Sequence, residues 1–211
     1  MEQFNILEIW DNTQFQFDIG VALAKSGNAA CVRARQSYFD IEMKSHRFHL
    51  IGKGMFSSVW EKNRKYYKIN SNVSGVNDGF YMWVYACMQN SDNPALPKFG
   101  DLIQSGQRYC VEIEPLNGQS NIICAYDLYK VARNDKHMFD AISLAIETSK
   151  LNMDLFESTY TPDTLNADLI DTYLDIHSSN MMMRGNQLIL NDPIACVYNP
   201  IPSIQMVKQY A

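Results

Sequence analysis

The 211-residue sequence contains no run of about 18 apolar residues, so no segment is expected to span a membrane. It has no excess of basic charge either. Lys and Arg number 18 against 23 Asp and Glu, a net charge of −5. Nucleic-acid binders normally show a basic stripe, so direct nucleic-acid binding is not expected. No two of the cysteines Cys31, Cys87, Cys110, Cys124 and Cys196 stand in CxxC spacing, and their number is odd. That argues against a zinc site or a disulfide framework and suits reduced thiols packed as small hydrophobes in a cytosol. The N-terminus, MEQFNILEIWDN, has no basic stretch leading into an apolar one, so it does not read as a signal peptide. Internal repeats and low-complexity tracts are also missing.

What is present reads as a folded protein. Hydrophobic residues make up 46% and charged residues 19%, a composition able to build a core. The length suits one large domain or two closely packed lobes. Residues 1–45 read as an extension of helices and loops, with apolar spacing through Phe4, Ile6, Leu7 and Trp10. Strands are expected at His46–Ile51, around Val59, around Lys68, and at Phe99–Gln104 and Arg108–Ile113. An aromatic-rich helix is expected at Phe80–Met88. Beyond Pro115 the character changes to helices near 125–133, 136–152 and 163–174, the last started by Pro162–Asp163. A hairpin follows at about 181–191, and 193–211, with three prolines, reads as mostly irregular. Strands first and helices second give an α+β chain of a 46–116 N-lobe and a 117–211 C-lobe.

Two short constellations carry chemistry. Gly52-Lys53-Gly54-Met55-Phe56-Ser57-Ser58-Val59 fits G-x-G-x-x-S-x-V, in which glycines let backbone N–H groups approach phosphate oxygens. By itself it could be a plain hairpin turn. Lys68, however, lies nine positions after Val59. A two-residue turn at Asn63–Arg64 would set Val59 directly opposite Lys68, both on one face of the sheet. Val59 would then cover a nucleotide base while Lys68 reaches its phosphates.

The second constellation is Asp175, Asn180 five positions on, and Asp192 twelve further. Apolar strands flank a Gly185–Asn186 turn midway between Asn180 and Asp192, so a hairpin would return these two side by side. Their oxygens could then share a Mg²⁺ ion. Asp175 is placed to accept a proton from an incoming hydroxyl. Taken singly, Asn180 could cap a loop and Asp192-Pro193 could be a turn pair. Met181–Met183 read as core strand. His177 is open between loop stabilisation and contact with a transferred phosphate.

With these residues in place, the chain resembles the protein-kinase-like superfamily. Within it, IGKGMFSSVW (51–60), YYKIN (66–70), DIHSSNMM (175–182) and NDP (191–193) are similar to the early protein Ser/Thr kinases of Teseptimavirus-like short-tailed phages. The resemblance covers roughly 46–195 and is specific in the catalytic loop. It implies a minimal two-lobed kinase-like fold with a β-rich N-lobe and a truncated helical C-lobe, using ATP and Mg²⁺. It also implies that Gly52, Gly54 and Ser57, with Lys53 in the same loop, line the phosphates. Lys68 would bind the α/β-phosphates, Asp175 would be the base, and Asn180 and Asp192 would hold the metal. Ile113, Glu114 and Leu116 would belong to a hinge that reads adenine through backbone groups. The expected setting is the cytoplasm of an infected bacterium. The expected partners are host proteins of transcription or RNA processing, phosphorylated on Ser or Thr, with autophosphorylation also open. In that phage group a separate C-terminal region shuts off host transcription, and this chain is expected to lack it.

The sequence departs from the pattern in four places. The helix after Lys68 offers no glutamate to pair with it. Tyr66 stands where kinases usually carry a small residue against adenine. No Asp-Phe-Gly glycine or Ala-Pro-Glu segment follows. His177 replaces a lysine and is similar to the D-x-H of small-molecule phosphotransferases. A small-molecule kinase and a non-catalytic binder of a host factor therefore stand as alternatives to a protein kinase.

Overall fold

The structure is a computed structural model that describes residues 6, 8–9, 39–54, 57–70, 79–105, 108–118, 120–122, 124–152, 165–178 and 180–194. The chain divides into two units, Met1–Gly75 with Gly100–Ile113, and Val76–Phe99 with Glu114–Ala211. This division differs from boundaries at 45/46 and 116/117. The strand pair ending at Ile113 returns to the first sheet, and the helix at Phe80 belongs to the second unit.

The first unit is built on an antiparallel sheet of β1 (His49–Lys53), β2 (Ser57–Lys62), β3 (Lys65–Asn70), β4 (Phe99–Ser105) and β5 (Arg108–Ile113), ordered β1-β2-β3-β5-β4. Period-2 alternation sorts its side chains. Trp60, Tyr67, Ile69 and Cys110 point into a core with Phe48, and α1 (residues 39–45) supplies Phe39 and Met43 to it. Ile6 and Ile9 belong to the same core, so these positions of the expected extension are structural parts of the sheet unit. Phe4, Leu7 and Trp10 lie outside the described residues. Phe39 meets Trp60 edge to face at 5.9 Å, the favoured aromatic geometry.

The first strand begins at His49 and not at His46. The reason is the end of α1. Phe48 N–H donates to the Met43 carbonyl and Arg47 N–H to that of Lys44, with Arg47 at φ 64°. This is a Schellman cap, and it consumes residues 46–47 before an extended strand can start. In β4, a Cβ on Gly100 would lie 3.0 Å from the Cβ of Glu112, so the position admits little else.

The second unit is helical. It contains α2 (Phe80–Gln89), α3 (Ala125–Ala132), α4 (Lys136–Asn152) and α5 (Ala167–Tyr173), with a hairpin of β6 (Met181–Arg184) and β7 (Gln187–Leu190). Helix α2 buries Phe80, Tyr81, Met82, Trp83, Val84 and Cys87, so it is a core element. Asp135 caps α4 by accepting from the His137 and Met138 amides. Helix α5 starts at Ala167 behind an Asn166 cap that accepts from Leu169 N–H at 2.9 Å. The start signal at Pro162–Asp163 and the tail beyond 194 lie outside the described residues. A β-rich unit and a helical unit carrying the hairpin give the α+β class expected from the sequence. No described helix is long and apolar enough to cross a membrane.

Candidate active site

In the first unit, the Asn63–Arg64 turn has φ of 56° and 63°, the two positive values of a type I′ turn. That turn fixes the register Val59↔Lys68, and the neighbouring pairings give Gly52↔Val59 and Lys68↔Val111. Gly52, Val59, Lys68 and Val111 therefore form one row across the sheet. The adjacent row sets Tyr66 opposite Ile113. Lys68 is only 8% exposed, so its side chain is largely withdrawn from water.

The glycine loop closes through Gly54 N–H donating to the Ser57 carbonyl at 2.8 Å. Neither Gly52 nor Gly54 has a positive φ, and a Cβ on Gly52 would meet nothing within 4 Å. The chain itself does not demand glycine at 52. Bare backbone there suits close approach by something outside the chain, as a phosphate cradle requires. Lys53 is engaged differently, pairing at 3.0 Å with Asp40 of α1. Met55 and Phe56 lie outside the described residues.

In the second unit, taken by itself, the β6–β7 hairpin turns at Gly185, φ 59°, followed by Asn186, a type II′ pattern. The hairpin brings its two ends together. The Asn180 carbonyl accepts from Asn191 N–H at 2.9 Å and from Asp192 N–H at 3.4 Å. The Asn180 side-chain NH₂ donates to the Asp175 carbonyl at 2.8 Å. Asp175 N–H donates to the Pro193 carbonyl at 2.8 Å, and Leu174 bridges Ile194. Asp175, Asn180 and Asp192 are thus fixed around one short stretch of backbone.

The donor set fits a magnesium ion. The Asn180 NH₂ donates to the Asp175 carbonyl, so Oδ1 is the atom of this side chain that could serve a metal, with the Asp192 backbone bonded to the same residue. Mg²⁺ takes one or two protein oxygens and completes its shell with water and phosphate. No group of three His, Cys, Asp or Glu able to hold a metal occurs among the described residues, and this pair does not require one. His177 Nε2 lies 3.5 Å from the Asp175 carboxylate, and both side chains are about half exposed. The His177 carbonyl accepts from Asn180 N–H at 2.9 Å, so this residue also shapes the loop.

Two contributors, Arg184 and Trp83, were not visible in the sequence. Arg184 grips both carboxylate oxygens of Glu114, through Nε at 2.9 Å and through Nη2, and its Nη atoms reach the carbonyls of Pro94 and Leu96 at 3.0 Å. The Glu114 carboxylate is therefore occupied, and its N–H donates to Lys98. Leu116 lies next in that segment, half-buried. Trp83 of α2 donates its indole N–H to the Asn191 carbonyl at 2.9 Å, one residue before Asp192. The only local hint of Arg184 is a charge that closes an otherwise apolar Met181–Met183 strand.

Among solved structures, the chain is similar to the aminoglycoside phosphotransferase APH(4)-Ia. Identity is 14%, covering 74% of this chain and 70% of that one, with a TM-score of 0.37. The apo form of a thermostable mutant of the same enzyme matches at 14% identity over 72% and 70%, with a TM-score of 0.35. Likeness at this level carries nothing about substrate or reaction. No family model and no curated protein matches the chain.

Proposed function

We propose that the chain is an ATP- and Mg²⁺-dependent phosphotransferase acting on hydroxyl groups. The observation that carries this reading is Asn180. Its backbone carbonyl accepts from the amides of Asn191 and Asp192, and its side chain donates to the Asp175 carbonyl, which supports reading Asp175 as a base beside two metal-ligand candidates. Asp175 accepts the proton of the acceptor hydroxyl as that oxygen attacks the γ-phosphorus and the bond to the β-phosphate oxygen breaks. Lys68 offsets charge on the α- and β-phosphates. Asn180 Oδ1 and Asp192 would hold the metal, which when bound would neutralise charge on the phosphate oxygens.

The acceptor class we favour is Ser or Thr on host bacterial proteins, with transcription or RNA-processing proteins as targets in the cytoplasm of an infected cell. The motif resemblance at 51–60, 66–70, 175–182 and 191–193 supports it. A small-molecule acceptor is the second reading, favoured by His177 beside the Asp175 carboxylate.

The test is incubation with γ-labelled ATP, Mg²⁺ and bacterial extract, with mapping of labelled residues. Label on protein Ser or Thr, lost in Asp175→Ala, supports the first reading. Label confined to small metabolites supports the second. No Mg²⁺-dependent labelling and no nucleotide binding at millimolar ATP would leave a non-catalytic binder and overturn both.

A further inference from the structure

We infer that Arg184 is a positioning residue for the metal pair Asn180 and Asp192, acting through its grip on Glu114; this rests on the phosphotransferase reading. A hairpin of two four-residue strands is not stable alone. Something must hold it, and the bonds show what does. Arg184 ends β6 and places both sides of its guanidinium fork on the Glu114 carboxylate. The same fork reaches the carbonyls of Pro94 and Leu96. Glu114 also accepts from Lys98 N–H, so the carboxylate ties the chain at 98 to the hairpin.

From this anchor the order runs along both strands. Asn117 and Ser120 donate to the Met183 and Met181 carbonyls, so residues 117 and 120 are bonded along β6 towards Asn180. On the return strand, Leu190 N–H donates to the Ala95 carbonyl, between the two carbonyls that Arg184 holds. The segment at 94–96 therefore grips both strands. Arg184 and Glu114 are only 28% and 17% exposed, so their bonds compete weakly with water. Without Arg184 the turn end of the hairpin is released. The register that keeps Asn180 beside Asp192 then rests on fewer bonds. Lysine keeps the charge but cannot form the fork.

The experiment uses the full chain with Arg184→Met, Arg184→Lys and Glu114→Gln. Two readouts are taken: amide exchange at Asn191 and Asp192 without ligand, and ATP affinity with and without Mg²⁺. In Arg184→Met the two amides should exchange faster by about tenfold. The Mg²⁺-dependent gain in ATP affinity should fall by about 10- to 100-fold, as for residues that orient metal ligands. ATP affinity without Mg²⁺ should hold. Arg184→Lys should recover part of the gain, and Glu114→Gln, closest in shape, should move both readouts the same way. Glu114→Gln decides the matter if Arg184→Met does not fold. Unchanged amide protection with an intact Mg²⁺ gain, or full recovery by lysine, overturns the inference. A wild-type chain with no Mg²⁺ gain overturns the functional reading instead, while amide exchange still decides whether Arg184 holds the pair.

Discussion

Two hairpins carry the candidate chemistry, and they are secured in different ways. The β2–β3 hairpin lies within a five-stranded sheet. Neighbours on both sides fix its register, and Trp60 and Tyr67 bury its reverse face. Among the described residues, the β6–β7 hairpin is a two-stranded sheet with no further strand. It is secured by Arg184, by the Trp83 indole, and by main-chain bonds from residues 117 and 120. The first keeps Lys68 in place by apolar packing. The second keeps Asp175, Asn180 and Asp192 in place by directional polar bonds. Packing tolerates small shifts, whereas metal ligands must be held within a fraction of an ångström, and hydrogen bonds specify that geometry better.

The largest expected effect comes from attacking the packed hairpin. Trp60→Ala, at a position with no exposure, should cost about 3–5 kcal/mol of stability, read by denaturant unfolding. A cost below about 1 kcal/mol would show that the sheet core does not secure Lys68. Attacking the clamped hairpin should cost less. Trp83→Phe keeps most of the ring but leaves the Asn191 carbonyl without its indole donor, for about 1–3 kcal/mol. It should also weaken Mg²⁺-dependent nucleotide binding, which calorimetric titration would report. Equal nucleotide binding in the variant would separate Trp83 from Asp192.

The turns of these hairpins were legible in the sequence, and so were the pairings they impose. Asn63–Arg64 predicted the register of Val59 with Lys68, and Gly185–Asn186 predicted the return of Asn180 to Asp192. Both signals are local, because loop length and turn residues set register. The clamps were not legible. Arg184 reaches a residue 70 positions away and Trp83 one 108 away, and neither contact leaves a short-range pattern. Residues 1–45 read as helices and loops, but the packing of α1 into the sheet core was not legible, for a related reason. Phe39 and Met43 are buried by a sheet whose strands lie further along the chain. The strand start at His46 failed because the Schellman cap at Arg47 has no glycine to announce it.

The turns also allow a smaller, opposite test. Arg64 holds φ 63° without being glycine, so Arg64→Gly should stabilise the first hairpin by about 1 kcal/mol and raise the melting midpoint. Gly185→Ala should lose about the same amount, since its φ of 59° suits glycine. Matching signs at the two sites would contradict the turn assignment.

The smallest effect is alkaline. Burial pushes the thiols of Cys87 and Cys110 up from 9.0, and burial together with Tyr85 pushes Tyr81 up to about 12. Each group keeps its proton longer in the folded chain than in the unfolded one. Their contribution is complete below pH 9 and is lost as pH rises above it. Melting midpoints should therefore hold from pH 7 to 9 and fall beyond, and of the three described cysteines the exposed Cys124 should alkylate first.

The central claim is that Asn180 and Asp192 form a metal site serving a nucleotide. Titration of ATP into the wild-type chain and into Asp192→Asn, each with and without Mg²⁺, tests it most directly. The expected result is tighter binding with Mg²⁺ in the wild type, with that gain reduced at least tenfold in Asp192→Asn while metal-free binding persists. The same Mg²⁺ dependence in both proteins would contradict it.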